Sequence, residues 1–242
     1  MSNEAISTVV LVHAAFADTS MWSSVVTELQ NNAIPVLAPA NPLRGLAYDA
    51  DYTASFVRQL GGPVVLVGHS YGGAVITVAG MAENVVGLVY VAAHCLDVGE
   101  SLDDLQGRYP AAPVTRHLRT MRFPLAGPSE PGVEDSISPD AFPSIFAPDL
   151  PPEIANVLAV SQRPLVRSAW SEPASAAAWK VKPAWALVAT GDNSINPQAQ
   201  RFAYERAGAF TVEVDASHAV PLSQPKAVAD LVREAVKATS SS

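Results

Sequence analysis

Residues 63–79 read Pro63-Val64-Val65-Leu66-Val67-Gly68-His69-Ser70-Tyr71-Gly72-Gly73-Ala74-Val75-Ile76-Thr77-Val78-Ala79. A β-branched apolar run stops at glycine, a serine follows two positions later, and a glycine pair leads into a second apolar stretch. The pattern predicts strand, tight turn and helix, with Ser70 at the apex of a Gly-x-Ser-x-Gly elbow. Its glycines are expected for steric reasons, since residues two before and two after a strained serine have no room for a Cβ. The helix behind the turn aims its first N–H groups at the position where negative charge develops in acyl transfer.

Outward from this stretch the chain alternates. Short apolar strands are predicted at 8–12, 34–38, 64–67, 85–93, 184–190 and 210–214. Helices are predicted at 21–31, with Thr19 or Ser20 as cap, and at 51–60, 71–82, 197–207 and 225–238. Such alternation implies an α/β fold with a mostly parallel central sheet and helices on both faces. Right-handed crossovers then bring the C-terminal ends of all strands to one edge, where ligands bind. Residues 1–95 and 182–242 form the expected core, and 96–181 an insertion. That insertion holds most of the chain's 20 prolines, with helices expected at 153–161 and 174–179. We read it as a cap over the catalytic edge, because long insertions in compact domains are usually functional or disordered; the alternative is a proline-rich surface excursion without substrate contact. The tail 239–242 is expected to be disordered.

Composition narrows the function classes. The 242 residues are 49% hydrophobic and 16% charged, with a net charge of −8. This suits one enzyme domain with an ample core and argues against nucleic acid or anionic membranes as partners. Residues 1–7 lack a basic region followed by a long apolar one, so no signal peptide is expected. No apolar run approaches the roughly 20 residues of a spanning helix. Cys95 is the only cysteine, which rules out an intramolecular disulfide and makes the cytoplasm the expected location. A small buried role is expected for it. No metal-ligand spacing or phosphate loop is present, and neither metal nor cofactor is expected. Trp170, Trp179 and Trp185 are expected to pack between cap and core, and Trp22 within a helix layer.

A serine needs a base to become a nucleophile. Of five histidines, His218 follows the last strand, in a loop that opens on the edge holding Ser70, and is the expected general base. His69 sits in the elbow, directed away from Ser70. His13 ends the first strand and is expected to bond loop backbone. His117 lies in the insertion. His94 ends the strand after the elbow helix; it is either a group that binds a polar part of the substrate or a packing residue. The acid that orients the base is expected to be Asp192, after the strand at 184–190, with Asp215 and Asp97 as rivals. The order Ser70, Asp192, His218 is that of hydrolases built on this elbow. The oxyanion donors are expected to be the N–H groups of Tyr71 and of Ala15, in the loop His13-Ala14-Ala15-Phe16-Ala17. Ala14 replaces the glycine of the common His-Gly pair.

The stretches Val10 through Trp22, Gly68 through Gly73, Gly191-Asp192 through Pro197, and Ser217-His218-Ala219 together resemble the α/β-hydrolase fold. They are most similar to the small bacterial esterases related to plant methyl esterases and hydroxynitrile lyases. The resemblance covers the chain apart from the insertion. It implies a serine hydrolase that cleaves a small carboxylic ester through an acyl-enzyme, with water as second substrate and no cofactor. Ala14, Phe16, His94, Leu158 and Ala219 would line the substrate pocket. It also implies an alternative, since the fold hosts lyases. Lyases of one stereochemical type carry threonine at the position of Ala14 and lysine at that of Ala219, and the opposite type carries asparagine at the position of Ala14. This chain has none of these. A receptor with a decayed triad is a third reading, which the intact serine, acid and histidine disfavour.

Overall fold

The computed structural model describes residues 6–125 and 130–240. In chain order the elements are β1 (Thr8–Val12), α1 (Ser23–Asn31), β2 (Val36–Leu37), α2 (Leu46–Arg58), β3 (Val64–His69), α3 (Tyr71–Ala79) and β4 (Val85–Val91). The insertion follows, with α4 (Leu102–Gln106), β5 (Leu118–Phe123), β6 (Gly132–Ile137), α5 (Phe142–Ile145), α6 (Pro152–Val160) and β7 (Leu165–Val166). The chain closes with β8 (Ala184–Ala189), α7 (Pro197–Arg206), β9 (Phe210–Val214), α8 (Val220–Ser223) and α9 (Pro225–Thr239).

Six strands form one sheet in the order β2-β1-β3-β4-β8-β9, and every pairing is parallel. The near-continuous apolar strands are what a sheet covered on both faces demands. Alternate residues separate into two layers. Val10, Val12, Leu66, Leu88, Tyr90 and Val188 pack towards α2 and α3. Val9, Leu11, Val65, Val67, Val89 and Leu187 pack towards α1 and α9. From β1 the chain moves outward to β2, then returns to β3 on the other side of β1. The order therefore reverses between β1 and β3, and the loops after these two strands flank the crevice.

The core elements follow the sequence reading closely, and the departures have local causes. The first helical turn begins at a 3-10 segment capped by Asp18, which accepts the Ser20 N–H, so neither Thr19 nor Ser20 is the cap. Helix α2 starts five residues before the predicted position. Glu172 of the insertion accepts the Leu46 and Ala47 N–H groups at 2.7 and 3.0 Å, satisfying donors that a helix start otherwise leaves open. Helix α6 appears where expected, but 174–179 yields only a short 3-10 turn at Ala178–Lys180. Thr239 belongs to α9 and its hydroxyl bonds the Ala235 carbonyl, which corrects the expected disorder there; 241–242 lie outside the described residues, as do 1–5. Trp185 is also corrected: it packs on the α9 side of the sheet, away from the insertion.

The insertion contains a second, antiparallel sheet, β5-β6-β7, that the proline-rich composition concealed. Polar contacts tie it together. Arg167 bonds Asp135 and the Thr120 hydroxyl, and Arg44 of the core reaches Glu134 at 2.7 Å. Among the described residues no helix is long and apolar enough to cross a membrane.

Candidate active site

Ser70 stands between β3 and α3 with φ +55° and ψ −121°, a conformation that costs a residue with a Cβ roughly 1–3 kcal/mol. The adjacent glycines make the turn possible, though by a contact different from the one expected. A Cβ on Gly68 would collide with the Gly72 carbonyl, and one on Gly72 with the Val12 carbonyl. The glycines thus let β3, α3 and β1 approach one another, and it is not the serine they avoid. Gly73 brings α3 against the segment after β4, where a Cβ would lie 2.6 Å from that of Ala93. The Ser70 carbonyl accepts the N–H groups of Gly73 and His94 at 2.9 and 3.1 Å.

His218 is fully buried in the loop after β9. Its Nδ1 donates to Asp192 Oδ2 at 2.7 Å. The Asp192 carboxylate is held in turn: Oδ1 accepts the Ser194 and Ile195 amides, and Oδ2 accepts from Gln200 at 2.8 Å. Asp215 is exposed, and Asp97 pairs with Lys180; the imidazole is bonded to neither. The structure thus brings together the histidine and the aspartate favoured in the sequence.

Three supports of the His218 loop had no signal in the sequence. His69 Nε2 donates to the His218 carbonyl at 2.8 Å, with the rings 4.8 Å apart. On the other side Phe146 of the insertion meets the His218 ring edge-on at 4.7 Å. Asp149 accepts the Ser217 N–H at 2.8 Å and its hydroxyl at 2.5 Å. The loop is therefore clamped by the insertion on one face and by the elbow on the other. Position in sequence could place none of these contacts, because they join segments about 70 to 150 residues apart.

The loop after β1 runs through Ala14 and Ala15 to Phe16, whose φ is +62°. The Phe16 N–H donates to the Arg163 carbonyl at 3.0 Å. His13 secures the loop base: Nδ1 donates to the Ala14 carbonyl, and Nε2 accepts the Asn41 N–H at 2.9 Å. Burial pushes its pKa down to about 4, so it is neutral and structural. Tyr71, first residue of α3, donates its hydroxyl to Asp49 at 2.7 Å.

Ser70, His218, Ala15, Tyr71, Phe16 and His94 line one narrow cavity of about 20 Å³, space for about one water. Leu102, Gln106, Val114, Phe146, Leu165 and Trp170 close it from the insertion, with Ser194 and Ile195 beside them. A larger cavity of about 460 Å³ shares Gln106, Val114 and Trp170 with it. Ala14 and Ala219 are fully buried behind the lining, and Leu158 packs half-buried on α6; none of the three borders either cavity. Burial drives the His94 pKa down to about 3 and the Cys95 thiol up to about 12. Among the described residues no group of three His, Cys, Asp or Glu side chains could hold a metal ion.

The fold has counterparts among known proteins. Residues 9–231 match the model of the alpha/beta hydrolase family. The alpha/beta hydrolase nvfD of Aspergillus novofumigatus is 30% identical over 192 residues, covering 73% of this chain and 71% of that protein. Polyneuridine aldehyde esterase superposes with a TM-score of 0.80 at 19% identity, over 95% of this chain and 99% of the other. A methylesterase from Arabidopsis gives 0.74 at 18% identity, over 96% and 99%. At such identities the two structures establish the likeness of fold alone.

Proposed function

The chain belongs to the alpha/beta hydrolase family, and on that premise we propose that it is a serine hydrolase cleaving a carboxylic ester through an acyl-enzyme. The observation that carries this reading is the buried His218–Asp192 bond opening onto the same cavity as the strained Ser70. Ser70 attacks the ester carbonyl. His218 accepts its proton at Nε2, because Nδ1 is committed to Asp192, and returns it to the departing alcohol. The Ala15 and Tyr71 amides bind the tetrahedral oxyanion; Tyr71 suits this role as the first residue of α3, where an amide has no partner within the helix. The Phe16 amide is already engaged by Arg163, which favours Ala15 as the donor from this loop. Water then repeats the sequence on the acyl-enzyme.

The insertion, 96–181, serves as the cap. It supplies most of the apolar lining, and the 460 Å³ cavity beside the chamber receives the bulkier part of the substrate. The catalytic chamber is so narrow that cap side chains move aside as the ester enters. The polyneuridine aldehyde esterase and the Arabidopsis methylesterase are named for ester chemistry, which supports the same class here.

A fluorophosphonate probe and a p-nitrophenyl ester test the proposal. The probe should add its mass at Ser70 alone, and Ser70→Ala should lower kcat by about 10⁴ or more with the fold intact. Labelling elsewhere, or an active alanine variant, would overturn it. Mandelonitrile assayed in parallel distinguishes the lyase chemistry, for which Ala14 and Ala219 supply no polar group.

A further inference from the structure

Buried polar groups in folded proteins almost always have partners, so exceptions that share one wall point to a ligand. His94 is 3% exposed; its ring lies near the Ser70 carbonyl, but neither ring nitrogen makes a well-formed hydrogen bond within the protein. The nearby Ser70 carbonyl is already taken by two amides. Ser194 Oγ and Trp170 Nε1 are likewise buried without partners. All three side chains line the chamber that contains Ser70 and His218, while most of the remaining lining is apolar. One hydroxyl, one indole N–H and one imidazole with a donor and an acceptor therefore line a water-sized space beside the nucleophile.

Resting on the esterase reading, we propose that His94, Ser194 and Trp170 form a subsite for an uncharged hydroxyl or carbonyl substituent placed one or two carbons from the scissile ester carbonyl. Proximity sets the position of the substituent: the His94 amide bonds the backbone of the nucleophile itself. The three unpartnered groups set its chemistry: two donors and an imidazole that both donates and accepts are matched by a hydroxyl or a carbonyl oxygen. Its charge follows from the surroundings. His94 is held neutral by burial, and Arg167, which borders the neighbouring cavity, is paired with Asp135. A carboxylate here would be buried without a counter-charge, which is costly. A hydroxyl, by contrast, both donates and accepts, as a neutral imidazole requires. Sites built to hydrogen-bond a substrate hydroxyl reject the analogue without it more strongly than apolar pockets reject an added one.

Methyl butyrate, methyl 2-hydroxybutyrate and methyl 3-hydroxybutyrate test this. Binding is measured by NMR titration to Ser70→Ala, and kcat/KM is measured for the otherwise unaltered chain. At least one hydroxy ester should bind about tenfold or more tightly than methyl butyrate, with a matching preference in kcat/KM. That ratio should fall towards one in His94→Phe and in Ser194→Ala, and partly survive in His94→Gln, which keeps a donor and an acceptor. Thermal melts report whether each variant folds, and the two milder substitutions carry the test if His94→Phe does not. Equal binding and turnover of all three esters would mean that a water occupies the subsite; the inference would fall and the esterase reading would stand. A preference untouched by all three variants would also overturn it. A hydroxyl preference in binding, with no turnover of any ester and no labelling of Ser70, would uphold the subsite and sink the esterase reading.

Discussion

Nε2 of His69 donates a hydrogen bond to the carbonyl of His218 across 2.8 Å, so the residue before the nucleophile fixes the backbone of the base. The carbonyl is buried and can only accept, which sets the proton of His69 on Nε2. Burial also holds the pKa of His69 well below its ordinary value, so the ring stays neutral. His69→Leu should leave that carbonyl without a donor, at a cost of about 1–3 kcal/mol, and displace the imidazole of His218. A misplacement on the order of 1 Å corresponds to about 10² in kcat. His69→Gln offers an amide donor and should restore part of the loss. Normal kcat for the leucine variant would show that the loop is held by Phe146 and Asp149 alone.

Asp192 and Asp215 both flank the strands that lead to the catalytic edge, but only Asp192 touches the base. Asp192→Asn presents an amide to Nδ1, favours the wrong tautomer and should lower kcat by about 10⁴, as in serine proteases. Asp215→Asn lies at an exposed position and should leave kcat within about twofold. Steady-state kinetics on a p-nitrophenyl ester separates them. A near-normal Asp192→Asn would mean that the carboxylate is dispensable for orienting His218.

The parts of this site that were legible in the sequence are those with local grammar. The Gly68–Gly72 elbow declares itself through apolar periodicity interrupted by small residues. Asp192 and His218 follow strands whose C-terminal ends must share an edge. The parts that were not legible depend on distant partners. Glu172 starts α2 from 125 residues away, so no local capping residue marks Leu46. The β5-β6-β7 sheet is built from stretches such as Leu118–Phe123, whose exposed charged faces lack the alternation of a buried strand; its order comes from Arg167 and Asp135 across the sheet. The polar character of the chamber was also hidden. His94, Ser194 and Trp170 belong to three separate segments, and only the folded chain reveals that they line one space.

Gly72 should be among the least replaceable residues. A methyl group there meets the Val12 carbonyl and lies 3.0 Å from that of His13, both in the backbone of the central sheet edge, where relief requires moving β1 from α3. Gly72→Ala should therefore destabilise the fold by about 3 kcal/mol or more, above the usual range for overpacking by one methyl. Gly61→Ala, with open space around the added atom, should stay within about 0.5 kcal/mol. Urea denaturation of the two variants provides the comparison. Equal midpoints would show that the elbow tolerates separation of β1 and α3.

Acid should destabilise the protein through its buried histidines. His13 and His94 titrate in the folded state at about 4 and about 3, and His69 well below the ordinary value, in each case chiefly through burial. Unfolding restores a pKa near 6.5. Between these values the unfolded chain binds more protons than the folded one, so stability rises with pH in this window and is lost as pH falls below about 6.5. At pH 5 each such histidine costs up to about 2 kcal/mol, from roughly 1.5 units at 1.36 kcal/mol per unit. His13 and His94 together cost up to about 4 kcal/mol, a large share of the stability of an ordinary domain, and His69 adds in the same direction. Circular-dichroism melts should show a Tm lower by about 10 °C or more at pH 5 than at pH 7. His94→Phe removes one of the three protons taken up on unfolding and should flatten this dependence, reducing the loss between pH 7 and pH 5 by about 2 kcal/mol whatever its effect at neutral pH. A Tm unchanged from pH 7 to pH 5 would mean that these imidazoles reach solvent or a counter-charge in the folded protein.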